Sequence, residues 1–453
     1  MLELDDLPHE AATAIPSGLR TLAGALIWRT RSTPDRPACY QKIEGRWSKL
    51  TWQGLHDRAR SAARGLTDHG VGPGDSIAIL GPTHTDWAVY DFGGQYAGAI
   101  TVGVYPRQSA EQVRYLLEHS EAKAVFVADE VEMATVLEAS SGLDSLRVIV
   151  AWSEELAESF AERDARIVGP GAFQGEPLAE EEVEKRQEAL DPDATAILIY
   201  TSGTTGPPKG AMISHRNILT LCENMQGIFP YYQDDLVMAF LPMAHATERC
   251  LAFYGRVSVG VPAAYATSVG SVIEELTEAR PTVFGSVPRI FEKLYDRVQG
   301  EVEKSSPGKQ AIFRWADGVA RRRLRAKLEG RSPSGLLELQ HKIGMGLVFS
   351  KIQARFGGRV RACITGAAPI SGEILEFLWA IDMPILEAYG MTEATVLTHV
   401  NKLTAFRLGT VGRPIPTLEC KIADDGEILI RGPLIFRGYL KNPEATAEAV
   451  QNG

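Results

Sequence analysis

Short β-branched runs at residues 76–80, 100–104 and 124–127 alternate with helical stretches, and the same alternation resumes at 196–200, 237–241, 282–284, 360–365 and 385–388. Parallel strands cannot be joined by tight turns and need a crossover of a dozen or more residues, so this rhythm predicts βαβ units around parallel sheets. Two α/β layers are expected, at 1–190 and 191–402. Between them lies an acidic stretch, 153–193, containing Glu180-Glu181-Glu182, which reads as a solvated helix and connector without chemistry of its own. Beyond 403 the runs shorten. Residues 419–423 and 427–430 flank Asp424-Asp425-Gly426, a hairpin signal, so 403–453 is expected to be a small β subdomain.

At 453 residues and 45% hydrophobic content the chain exceeds one compact unit and can bury a large core. Its 57 acidic against 47 basic residues leave a formal charge of -10, which a nucleic-acid backbone would repel, so no nucleic-acid partner is expected. The five cysteines are scattered without a C-x-x-C pair, which points away from a disulfide framework or zinc knuckle and toward a reducing, cytoplasmic setting. The first residues lack a basic leader and no apolar run reaches membrane-spanning length. Peripheral contact with a membrane and formation of a homodimer both stay open.

The chemistry concentrates in Tyr200-Thr201-Ser202-Gly203-Thr204-Thr205-Gly206-Pro207-Pro208-Lys209-Gly210, directly after an apolar run. Gly203 and Gly206 let the backbone wrap an anion, Thr201, Ser202, Thr204 and Thr205 offer hydroxyl donors, and Lys209 brings a neutralising charge. The loop suits a polyphosphate. It lacks the Gly-x-x-x-x-Gly-Lys-Ser/Thr spacing of a Walker loop. A helix is expected from Ser214, whose hydroxyl can cap it.

This loop resembles the signature of the adenylate-forming superfamily, which includes acyl-CoA synthetases, luciferases and peptide-synthetase adenylation domains. Further similarities follow in order: Gly366-Ala367-Ala368-Pro369, Tyr389-Gly390-Met391-Thr392-Glu393-Ala394, Gly409-Thr410-Val411-Gly412-Arg413-Pro414, and the stretch beginning at Gly426-Glu427. The resemblance implies the large amino-terminal body of the acyl-CoA synthetase fold: two stacked α/β subdomains plus a small distorted β-barrel. The carboxyl-terminal α+β lid of that fold is expected to be missing, which would impair turnover by this chain.

By the same resemblance, Tyr389 stacks on adenine, Thr392 touches the α-phosphate, and Glu393 with Thr201 holds Mg2+. Residues Gly366 to Pro369 and the strand end Glu387-Ala388 wall the nucleotide together with Gly390 and Met391. Lys209, Thr392 and Glu393 are the candidate catalytic residues. The segment around Leu241-Pro242-Met243-Ala244-His245, the run Val287-Pro288-Arg289-Ile290-Phe291-Glu292-Lys293-Leu294-Tyr295 and an insertion between Gln310 and Lys351 resemble long-chain members, and His245 with Gly285, Ser286, Val287 and Pro288 are expected to face a fatty acid. ATP, Mg2+ and coenzyme A are the implied cofactors and co-substrates. A fatty acyl-AMP ligase or a luciferase-like enzyme shares every such motif, and a non-catalytic nucleotide-binding protein is the reading from another class. The basic run 321–327 reads as a solvated helix face, with lipid headgroups or coenzyme A phosphates as alternatives.

Overall fold

A computed structural model of the chain describes residues 1–5, 7–201 and 206–451. In chain order its first strands are β1 (Pro37–Ile43), β2 (Arg46–Thr51), β3 (Ser76–Leu80), β4 (Ile100–Val104), β5 (Ala122–Val127), β6 (Val148–Ala151) and β7 (Ile167–Val168). Then come β8 (Thr195–Thr201), β9 (Lys209–Ser214), β10 (Val237–Ala239), β11 (Ala263–Tyr265), β12 (Val283–Ser286), β13 (Ala362–Thr365) and β14 (Ile385–Tyr389). The short strands β15 (His399–Val400), β16 (Arg413–Pro414), β17 (Glu419–Ile422) and β18 (Ile428–Arg431) follow.

Two sheets form, as the alternation predicts. The first runs β7-β6-β5-β3-β4-β8-β9 and is parallel except for β9, which returns antiparallel to β8. The second runs β16-β15-β14-β13-β12-β10-β11-β1-β2, a parallel centre with antiparallel edges.

Sheet membership crosses the expected division at 190. The apolar run of β8 needs cover on both faces and finds it beside β4, with Thr101 opposite Ile197. In exchange, β1 pairs with β11 at Cys39 and Ala263, so the amino-terminal hairpin completes the second sheet.

The helix Thr85–Ala97 is buried at every residue but Asp86, the mark of a helix enclosed on nearly all sides. It packs on the helix Trp52–Asp68 so closely that a Cβ added at Gly93 would lie 2.7 Å from the Ala62 Cβ. From it, Asp91 meets Arg249 in an ion pair with no exposure on either side chain. Thr101 Oγ1 (2.7 Å) and the Tyr254 hydroxyl (2.5 Å) also donate to Asp91, so this carboxylate ties the first sheet to the π-helix Glu248–Gly255.

The acidic connector is less passive than its composition implies: Val183 and Gln187 of the helix Glu180–Ala189 are buried, and Gln187 Nε2 donates to the Gln95 carbonyl at 3.1 Å. Past 403, β17 and β18 form the antiparallel hairpin read from Asp424-Asp425-Gly426. Among the described residues these two strands pair with each other, while β16 pairs with β15 at the edge of the second sheet. Among the described residues no helix is long and apolar enough to cross a membrane.

Candidate functional site

The carboxyl ends of β12 and β13 stop in register, Ser286 opposite Thr365, with Glu387 of β14 opposite Thr365 and β14 running on to Tyr389. Ligands of open α/β sheets bind beyond such ends. A cavity of about 370 Å3 opens there, within the size range of small-molecule sites. It gathers His245, Gly285, Ser286, Val287, Gly366, Ala367, Ala388, Tyr389, Gly390, Met391 and Thr392, all expected from the sequence. Its deeper wall is apolar, from Met225, Ile228, Phe229, Val237 and Met238.

Local geometry explains the lining. A Cβ on Gly285 would meet nothing within 4 Å, so that backbone borders open space. A Cβ on Gly390 would fall 1.6 Å from the Val396 carbonyl oxygen, so only glycine lets the chain fold back after β14. Thr395 and Val396 complete that turn with φ of 48° and 76°, a left-handed conformation that β-branched residues rarely adopt and that costs about 1–3 kcal/mol each. Thr395 Oγ1 anchors the turn by donating to the Leu434 carbonyl at 2.6 Å.

Other expected residues lie elsewhere. Glu387 does not line the cavity: its Oε2 accepts the Gly409 N–H at 2.9 Å, and burial raises its carboxyl above the usual range. It therefore holds the Arg407–Thr410 turn in place. Ala368 and Pro369 are exposed beyond the cavity, and Pro288 is buried at the start of the helix Pro288–Glu303. Ser202, Gly203, Thr204 and Thr205 fall outside the described residues. Thr201 and Lys209 end β8 and begin β9 directly opposite each other, with Gly206 between the two strands.

Glu393 sits one residue past the cavity-lining Thr392. Its Oε1 accepts from the Tyr439 hydroxyl at 2.6 Å, and the Lys209 Nζ lies 5.2 Å from the centroid of the same ring. One tyrosine thus brings together the lysine and the carboxylate picked out from the sequence. Tyr439 was not among the expected site residues. Its signal was its place in the run Phe436 to Leu440, whose backbone hydrogen-bonds along β9 through Met212 to Gly438 and Leu440 to Gly210.

Three polar atoms in the cavity wall are buried without a partner among the described residues: Ser286 Oγ, Thr365 Oγ1 and Glu248 Oε1. Orphaned groups of this kind are costly unless a ligand satisfies them. Burial pushes the Glu248 carboxyl up to about 8, so it is protonated at neutral pH. His245 is also shifted by burial, downward. The Thr247 N–H donates to its Nδ1 at 3.1 Å, which leaves the proton of the neutral ring on Nε2.

No three His, Cys, Asp or Glu side chains gather as a metal cage among the described residues. Glu393 offers a single carboxylate and Thr201, opposite Lys209 on β8, a hydroxyl; so sparse a donor set fits a hard cation that takes most of its ligands from substrate phosphates and water.

The sequence profile of the AMP-binding enzyme family matches residues 26–440. The chain belongs to the AMP-binding enzyme family. Relatives within it include the long-chain-fatty-acid–CoA ligase FadD15 of Mycobacterium bovis, 33% identical over 437 residues that make up 95% of this chain and 70% of that protein. The ligase ACSBG2 of Xenopus laevis is 30% identical over 92% of this chain and 57% of its own length. Among solved structures, the adenylation domain of a Mycobacterium chelonae carboxylate reductase superposes with a TM-score of 0.74 at 24% identity, covering 96% of this chain and 68% of that one. The amino-terminal domain of FACL13 from Mycobacterium tuberculosis gives 0.68 at 20% identity, covering 96% and 94%. At these identities the structural matches establish the AMP-binding fold.

Proposed function

We propose that this chain is the nucleotide- and acid-binding body of a long-chain fatty acid–CoA ligase, which activates a fatty acid as its adenylate, releases pyrophosphate and passes the acyl group to coenzyme A. The observation that carries the reading is the meeting of Lys209 and Glu393 at Tyr439, beside a cavity that is polar at the strand ends and apolar behind them. The names of FadD15 and ACSBG2 support the choice of acid and acceptor.

In this reading Lys209 and the hydroxyls of residues 201–205 hold the triphosphate by charge and hydrogen bonds. Thr392 and the Gly366–Ala367 backbone fix the nucleotide so that the carboxylate attacks the α-phosphorus in line. Bound Mg2+ would neutralise charge accumulating on pyrophosphate. Glu393, held by Tyr439, presents the protein's carboxylate to it. His245, neutral and with its proton on Nε2, donates a hydrogen bond toward the acid without introducing a competing charge. The apolar wall from Met225 to Met238 takes the hydrocarbon.

ATP–pyrophosphate exchange tests the reading. Exchange is expected to require both palmitate and Mg2+, and to fall at least ~100-fold in Lys209→Ala and Glu393→Gln. Palmitate-independent exchange, or no nucleotide binding by calorimetry, would overturn it. Acyl adenylate without acyl-CoA, when coenzyme A is supplied, would move the assignment to an acyl-AMP ligase.

A further inference from the structure

The helix Pro307–Leu328 and its antiparallel neighbour Gly335–Gly344, continued by the π-helical turn Met345–Phe349, form a hairpin remote from the cavity lining. Leu336, Leu339, Ile343 and Leu347 recur at spacings of three and four, and are 66%, 55%, 46% and 53% exposed. That spacing puts them in one stripe. The opposite side of the same helix faces the protein: His341 and Gly344 are buried, and a Cβ on Gly344 would touch the Ala316 Cβ at 3.3 Å. With Ala316 beside Gly344 and Arg323 paired to Glu338 at 3.0 Å, the antiparallel register brings the exposed Ile312 and Trp315 level with the Ile343 and Leu347 end of the stripe. Large exposed apolar side chains in one contiguous patch mark a contact surface.

The charge around the patch selects the partner. Within a chain of formal charge -10, residues 307–351 carry ten Lys and Arg against three Asp and Glu. The three acids are occupied, Asp317 by Arg321, Glu338 by Arg323 and Glu329 by Arg331. Among the described residues Arg314, Arg322, Arg325, Lys327 and Lys342 are exposed and have no carboxylate partner.

We propose that this hairpin docks on an anionic lipid surface, with its leucine stripe among the acyl chains and the unpaired cations on the headgroups. Leucine and tryptophan flanked by Lys and Arg suit a helix lying in the plane of the interface, and among the described residues no helix is long and apolar enough to cross it. A second copy of the chain would bring the same cations face to face, which disfavours self-association. The inference stands apart from the nucleotide site and does not depend on the proposed activity.

Co-sedimentation of the chain with phosphatidylcholine vesicles, with and without added phosphatidylglycerol, tests it. Binding is expected to rise at least ~10-fold with the anionic lipid and to decline with salt. Leu339→Glu combined with Ile343→Glu, and separately Arg322→Glu with Arg325→Glu, should each lower binding ~10-fold or more while the melting temperature is kept. The Trp315 contribution to fluorescence, isolated against Trp315→Phe, should shift to the blue on binding. Equal binding to neutral vesicles, no binding to either, or unaltered binding by the folded double variants overturns the proposal. So does light scattering that shows a dimer which the Leu339 and Ile343 substitutions dissociate.

Discussion

Tyr439 holds Glu393 by one hydrogen bond while its ring lies near the Lys209 ammonium. Removing the hydroxyl keeps the ring and frees the carboxylate. Tyr439→Phe is therefore expected to raise the Mg2+ concentration for half-maximal pyrophosphate exchange about tenfold, the size typical of a lost partner behind a metal ligand. An unchanged Mg2+ dependence would disprove the coupling. Glu248 makes a separate prediction. Its carboxyl is raised from 4.5 to about 8 by burial, so between those values the folded chain keeps a proton that the unfolded chain gives up, and stability falls as pH rises. Glu248→Gln abolishes that slope. At pH 8 the variant is expected to gain up to roughly 4 kcal/mol relative to the parent, and nothing near pH 4.5. Parallel melting-temperature curves for the two proteins from pH 5 to 8 would contradict the assignment.

At the scale of elements, the helix His215–Ile228 starts with a reciprocal cap: the Ser214 side chain accepts the Asn217 N–H, and the Asn217 side chain accepts the Ser214 N–H. Asn217 Nδ2 also donates to the carbonyls of Pro433 at 2.7 Å and Ile435 at 3.0 Å. Asn217→Ala removes the reciprocal half of the cap and the anchor of the segment leading to Tyr439, so a loss of about 2–3 kcal/mol is expected from urea denaturation. Ser214→Ala should cost only about 1 kcal/mol. The Ser214 start was legible because a cap is written locally. Strand β9 was not, since Gly210 and Ala211 favour no strand and the glycine-rich reading ran through them. What makes the segment a strand is pairing with β8 on one side and with 437–440 on the other. Glu248 and Arg249 stand adjacent in sequence and look like a solvated pair. The π-helix sends the arginine to Asp91 and the glutamate to the cavity, a parting that only the packed layers produce. The strand end at 366 was readable because an apolar run followed by small residues marks the carboxyl edge of a parallel sheet, whereas the motif at 389 was legible through the family resemblance.

For the molecule as a whole, Asp91 is the one carboxylate facing the buried Arg249 guanidinium among the described ion pairs. Asp91→Asn leaves that cation unpaired inside the protein, and calorimetry is expected to show a loss of about 3–5 kcal/mol. Adding Arg249→Met should restore part of it, since the stranded charge is then gone. A double variant no more stable than the single one would refute the account.

The exchange of strands between the sheets bears on how the chain is born. A nascent polypeptide that has cleared the ribosome only as far as the 153–193 link carries β4 with a bare edge and β1 with its future neighbour β11 still unmade. Neither half is then a self-sufficient folding unit. Gene halves cut within that link should each aggregate when synthesised alone, and should regain solubility only when made side by side in the same cell.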